Sequence, residues 1–267
     1  MAAKSKLGQN FLRHNQAIQR IIAALGDLST RTVVEIGAGA GAITEGVAAK
    51  ARHLIAVEYD RELASALIGR FSPEHGFTNV TVQAEDVLAF DFARAAEEAG
   101  EPLLVVGNLP YYITSPILLR LAESSAHISR AVLMVQREVA DRVTAEPGSR
   151  DYGLLSATLQ MYGTTESLFT LPPSAFVPPP EVHSTVFRWT FAARFQQLDV
   201  EEESFIALLK QCFAQKRKTL SNNLRAAGFS TEAIKHATAS ANLSPQLRAE
   251  AISLEQFAAL WKALQPQ

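Results

Sequence analysis

A single cysteine, Cys212, stands in 267 residues, so no internal disulfide can form and no cysteine-based zinc site is available. The six histidines (His14, His53, His75, His127, His183 and His236) are scattered without metal-ligand spacing, and no metal is expected. No apolar run reaches the roughly 20 residues that a membrane-spanning helix requires, so no membrane association is expected. Repeats and low-complexity tracts are missing too. The N-terminus lacks a signal-peptide core, and a motif that starts at Gly8 argues against a mitochondrial presequence. The expected setting is therefore a reducing cytoplasm. Hydrophobic residues make up 48% and charged residues 19%, the balance of a folded globular chain. The length suits one large domain followed by a small one. Nothing in it demands more than a monomer.

Acid and base are unevenly spread. Residues 1–26 carry Lys4, Lys6, Arg13 and Arg20 and no acid, and residues 204–231 carry Lys210, Lys216, Arg217, Lys218 and Arg225 and no acid. Setting those nine cations aside leaves 16 Lys+Arg against 27 Asp+Glu, a remainder of −11 within a net charge of −2. Two basic segments on an acidic body can focus a polyanion onto defined faces. Each segment read alone is equally a solvated helix face.

What is present in quantity is alternation of apolar strands with helical patterns, and four strand ends carry chemistry. Thr32–Ile36 runs into Gly37-Ala38-Gly39-Ala40-Gly41, small residues that permit a sharp turn and close approach of a ligand, with a helix expected from Ala42. Gly37-x-Gly39-x-x-Ala42 also fits a dinucleotide fingerprint. His53–Val57 ends in Glu58, suited to a pair of ribose hydroxyls. Val80–Ala84 ends in Glu85-Asp86, suited to an adenine amino group. Leu103–Gly107 ends in Asn108-Leu109-Pro110-Tyr111. Open α/β sheets bind ligands at strand carboxyl ends, which is where all four groups fall.

The last of these is the most specific. An Asn amide and a carbonyl that Pro holds in direction can accept both hydrogens of an exocyclic amine, while the Tyr ring stacks the base. Such a grip makes an adenine-type nitrogen more tetrahedral and more nucleophilic. Downstream, Phe176-Val177-Pro178-Pro179-Pro180 is a stiff connection. It either holds Phe176 at the rim, against a base stacked on Tyr111, or marks a loop whose Phe lies in the core. A fifth strand over 131–135 and helices over 59–71, 116–124, 137–144 and 152–161 complete the first domain. Two closing strands, 166–170 and 185–191, are expected as an antiparallel pair at the sheet edge. Beyond 195 only helical patterns follow, including one from Lys216 to Ala227 and one opened by Ser244-Pro245.

These motifs, in this order, resemble one family over nearly the whole chain. Gly8-Gln9-Asn10-Phe11-Leu12, Glu35–Gly41, Asn108–Tyr111, Tyr152-Gly153-Leu154-Leu155-Ser156, Phe176–Pro180 and Lys216-Arg217-Lys218-Thr219-Leu220 are similar to those of bacterial small-subunit ribosomal RNA adenine dimethyltransferases. Ala38 stands where Pro is frequent and Ser221 where Arg is common. The resemblance implies an α/β fold with a Rossmann-like class I methyltransferase sheet over residues 1–195, including an N-terminal arm. A small all-α domain over 196–267 would contact RNA or ribosome. It implies transfer of methyl groups from S-adenosylmethionine to N6 of two adjacent adenines in a 3′ hairpin of 16S rRNA within the small ribosomal subunit. Asn10, Leu12, Gly37, Glu58, Asp86 and Asn108 would bind the cofactor. Asn108, Pro110, Tyr111 and Phe176 would handle the target base, and Lys216, Arg217, Lys218 and Arg225 the RNA. A large-subunit rRNA methyltransferase, an assembly factor and, more distantly, a nicotinamide dehydrogenase are the alternatives.

Overall fold

The computed structural model describes residues 10–265; Lys4, Lys6, Leu7, Gly8 and Gln9 of the expected arm lie outside them. Among the described residues, nine strands form two sheets: β1 Phe11–Leu12, β2 Thr32–Ile36, β3 His53–Val57, β4 Val80–Gln83, β5 Leu103–Asn108, β6 Ile128–Gln136, β7 Gly163–Leu171, β8 Phe176–Val177 and β9 Ser184–Phe191. The main sheet has the order β4-β3-β2-β5-β6-β9-β7, and β1 pairs with β8 in a two-stranded ribbon. Neighbours from β4 through β6 run parallel, whereas β9 is antiparallel to β6. The two closing strands do lie together at one edge of the sheet, with β7 outermost and β9 between it and β6.

The helices are α1 Asn15–Leu25, α2 Thr44–Ala48, α3 Arg61–Arg70, α4 Phe92–Ala99, α5 Thr114–Glu123, α6 Arg137–Val143 and α7 Leu154–Tyr162. After β9 come α8 Phe195–Leu198, α9 Glu202–Cys212, α10 Leu220–Ala226, α11 Thr231–Ser240 and α12 Leu254–Leu264. Every residue of β2 is buried, which is why it reads as a continuous run: a central parallel strand has no solvent face. α1 instead buries Ala17, Ile18, Ile21, Ile22 and Leu25, one stripe at helical spacing. Asp60 starts α3 by accepting from the Glu62 and Leu63 amides at 2.9 and 3.2 Å. No helix among the described residues is long and apolar enough to cross a membrane.

After β2, the chain builds outward through β3 to β4, then returns to add β5 on the other side of β2. That reversal opens a crevice between the carboxyl ends of β2 and β5. The two ends are level, because Ile36 stands opposite Gly107. A Cβ at Gly107 would sit 2.7 Å from the Ile36 carbonyl oxygen, closer than two backbones can give. Gly107→Ala is expected to cost about 1–3 kcal/mol in denaturant unfolding, the size of a forced backbone shift. It should also displace Asn108, the next residue, from the end of β5.

The described residues divide into two compact units: those up to Ala140 with Thr164–Ala192, and Asp141–Gly163 with those from Ala193 onward. The second unit takes in residues 141–163, which a single cut at 195 assigns to the first. Packing accounts for the grouping. Tyr152 lies edge-on to Phe213 at 6.2 Å between ring centroids, and Tyr162 edge-on to Phe195 at 5.2 Å. The Arg194 amide donates to the Met161 carbonyl at 2.8 Å.

Two helical expectations are corrected in this unit. Lys216–Lys218 lie in a turn, and the helix begins only at Leu220, capped by Thr219. Buried Asn223 fixes that turn by donating to the Cys212 and Gln215 carbonyls at 2.7 and 3.3 Å. Ser244-Pro245 likewise opens no helix; a short 3-10 turn forms at Ala249–Ala251. Here the Leu247 amide bonds the Ser244 carbonyl while the Leu247 carbonyl is taken by the Leu220 amide.

Candidate active site

The strand ends converge on one cavity of about 340 Å³ in the first unit. Asn10 and Leu12, Gly37, Glu58, Asp86, Asn108, Pro110 and Tyr111 all line it. The glycine turn is shaped by what it must avoid. Gly39 has φ +57°, and a Cβ there would meet the Phe11 ring at 3.1 Å. The Gly39 amide donates to Glu58 Oε2 at 2.8 Å and the Asp60 amide to Glu58 Oε1 at 2.9 Å. Glu58, only 4% exposed, thus holds the turn after β2 and the start of α3 at once. Each carboxyl oxygen has a second lone pair for a ligand. Asp86 is aimed in the same way, accepting from the Leu88 amide at 2.9 Å.

At the end of β5, Asn108 Nδ2 donates to the Asn10 carbonyl at 2.8 Å. With its amino group committed there, the amide presents Oδ1 as its acceptor. The Pro110 carbonyl accepts from Thr114 Oγ1 at 2.9 Å and from the Ile113 amide at 3.3 Å, which fixes its direction and occupies part of its capacity. Tyr111 is half-buried, with its hydroxyl 2.8 Å from Ser184 Oγ. Desolvation raises its phenol above the ordinary value, against a lowering by Ser184.

Phe176 departs from the rim position. It is 2% exposed and belongs to the core with Leu12, Ile18, Ile21 and Leu171. The cause is the β1–β8 ribbon, in which Leu12 stands opposite Phe176 and the Arg13 amide donates to the Ala175 carbonyl at 2.9 Å. The ribbon thereby brings Asn10 and Phe11 to the cavity and draws Phe176 inward.

The cavity also contains residues to which the sequence reading gave no role. Glu35, fully buried in its wall, is pushed up to about 8 by desolvation, with Thr44 opposing the shift and Glu58 adding to it. Tyr59 and Tyr112 line the mouth. Their signal was positional, since each directly follows an assigned residue. Lys216, Arg217, Lys218 and Arg225 are exposed in the second unit, and Arg225 is within 3.0 Å of Asn222 Oδ1.

A glycine turn, two acids and Asn-x-Pro-Tyr thus stand at successive strand ends around one cavity. Comparison with known sequences settles which family owns that set: the profile described as "Ribosomal RNA adenine dimethylase" matches residues 1–265. The chain belongs to the ribosomal RNA adenine dimethylase family. This dimethylase uses S-adenosylmethionine as its methyl donor, and the donor set of the cavity fits that group. It is 57% identical over 262 residues to the ribosomal RNA small subunit methyltransferase A of Acidobacterium capsulatum, covering 98% of this chain and 91% of the relative. The enzyme of the same name from Koribacter versatilis is 49% identical over 274 residues, covering 98% and 95%. Among solved structures, the dimethylase resembles a dimethyladenosine transferase from Plasmodium falciparum with a TM-score of 0.77 at 23% identity, covering 94% and 95% of the two chains. A 23S rRNA methyltransferase gives 0.73 at 24% identity, covering 96% and 99%. Both structures share the class I methyltransferase fold.

Proposed function

We propose that this dimethylase places two methyl groups on N6 of each of two adjacent adenosines in a 3′-terminal hairpin of 16S rRNA, within the small ribosomal subunit. The observation that carries the reading is Asn108 at the end of β5, in one cavity with Glu58 and Asp86. S-adenosylmethionine supplies a methyl group that its sulfonium already makes electrophilic, so the protein's contribution is placement. In this reading Glu58 takes the cofactor's ribose hydroxyls and Asp86 its adenine amine. Gly37 allows close approach, and Asn10 and Leu12 cover the methionine end.

Asn108 Oδ1 accepts one hydrogen of the target amine. The Pro110 carbonyl accepts the other, sharing its oxygen with Thr114 Oγ1 and taking the place of the long 3.3 Å bond from the Ile113 amide. Held by both hydrogens in the first transfer, and by the one that remains in the second, the nitrogen withdraws its lone pair from the ring and points it at the methyl group. The tie to Ser184 steadies Tyr111 as the stacking platform. No residue is needed as a strong base, because the methylated amine sheds its proton readily. Phe176 has no direct part.

Lys216, Arg217, Lys218 and Arg225 contact RNA phosphates, a role supported by their exposure on and beside one braced turn. The names of the relatives support the small subunit as substrate. All roles come from one chain, which suits a monomer, and a substrate within the small ribosomal subunit places the enzyme in the cytoplasm. The test is transfer of radiolabelled methyl groups to unmodified small subunits, large subunits and naked rRNA. Label should enter small subunits as N6,N6-dimethyladenosine at two neighbouring positions. Label confined to large subunits would assign the other rRNA substrate, and no transfer would leave an assembly role.

A further inference from the structure

Two tyrosines at the mouth of the cavity are not used by these roles. Tyr59 and Tyr112 are 62% and 61% exposed, ahead of every other large apolar or aromatic side chain among the described residues. Both line the cavity that contains Glu58 and Asp86. Folding gains little from rings left in water, so their position calls for a ligand to cover them. Tyr59 follows Glu58 directly. Tyr112 follows Tyr111 inside the 3-10 turn Tyr111–Ile113, where successive side chains diverge by roughly 120°. It cannot share the direction of Tyr111, whose hydroxyl is tied to Ser184. Its phenol is raised above the ordinary value by desolvation first, then by Tyr59, Asp86 and Glu58, so its electrostatic neighbours are the two acids.

We propose that Tyr112, together with Tyr59, brackets the nucleoside end of the cofactor. Neighbouring tyrosines in one turn then serve different substrates, Tyr111 the target base and Tyr112 the methyl donor. The proposal rests on Glu58 and Asp86 being the cofactor's nucleoside ligands. A purine has two flat faces, and aromatic contact with a base is sequence-tolerant and strong enough to measure on its own.

The test is calorimetric binding of S-adenosylhomocysteine to the full chain, paired with KM for cofactor and for small subunits. Tyr112→Ala should weaken binding about tenfold, within the range for one lost stacking partner. KM for the cofactor should rise in step and KM for the subunit stay put. Tyr112→Phe, which keeps the ring, should restore affinity to about the original value. Wild-type affinity in Tyr112→Ala overturns the proposal. So does a raised subunit KM with cofactor affinity intact, which would put Tyr112 on the target side. Glu58→Ala in the same experiment separates the two layers. If it loses affinity while Tyr112→Ala does not, only the bracket fails; if it too binds normally, the cofactor assignment fails with it.

Discussion

Asn108→Ala is expected to lower the single-turnover rate of methyl transfer by roughly 10² or more, the usual cost of one oriented polar contact at a reacting atom. Cofactor binding should weaken without disappearing, because Glu58 and Asp86 remain. The size of the effect follows from what the amide does. Free adenine N6 is a poor nucleophile, and in the proposed reading Asn108 supplies the acceptor that draws its lone pair out of the ring. Its other end is held by the Asn10 carbonyl at 2.8 Å, so the acceptor is in place before any substrate arrives. Losing that bond costs about 1 kcal/mol of stability, too little to unfold the chain. A thermal melt beside the rate measurement separates the two effects.

Glu58→Ala is expected to weaken S-adenosylhomocysteine binding by about 10² and to destabilise the fold by roughly 2 kcal/mol. One cause serves both. The side chain receives the Gly39 and Asp60 amides, and truncation leaves two amides around a buried position unpaired. The glycine turn then loosens at the point where the cofactor approaches the main chain. Glu58→Gln keeps one acceptor oxygen and should fall between the alanine variant and the native chain in both respects. Calorimetry and denaturant unfolding check the pair, and unchanged affinity in Glu58→Ala would contradict the ribose assignment.

The sheet was legible because its central strands are buried on both faces. Thr32–Ile36 and His53–Val57 announce themselves as short apolar runs, and their ends coincide with Gly37 and Glu58. Helix starts were less visible where a polar side chain decides them. Asp60 shortens α3 at its beginning, and Thr219 with Asn223 turns the expected helix from Lys216 into a turn followed by a short helix. The β1–β8 ribbon was out of reach. Two-residue strands have no periodicity, and pairing Leu12 with Phe176 depends on the whole intervening fold. That pairing decides whether Phe176 stacks a base or fills the core, an ambiguity its own segment leaves open. Residues 141–163 group with the second unit for a similarly non-local reason, since the rings that cover Tyr152 and Tyr162 come from Phe213 and Phe195, after the last strand.

The most direct measurement is a crystal structure of the chain with S-adenosylhomocysteine and an adenosine-containing RNA fragment. The account requires the ribose on Glu58, the cofactor's adenine amine on Asp86, and the target N6 roughly 3 Å from both Asn108 Oδ1 and the Pro110 carbonyl, facing the sulfur. A complex in which Asn108 turns away from the amine, or in which the cofactor binds outside this cavity, would contradict it.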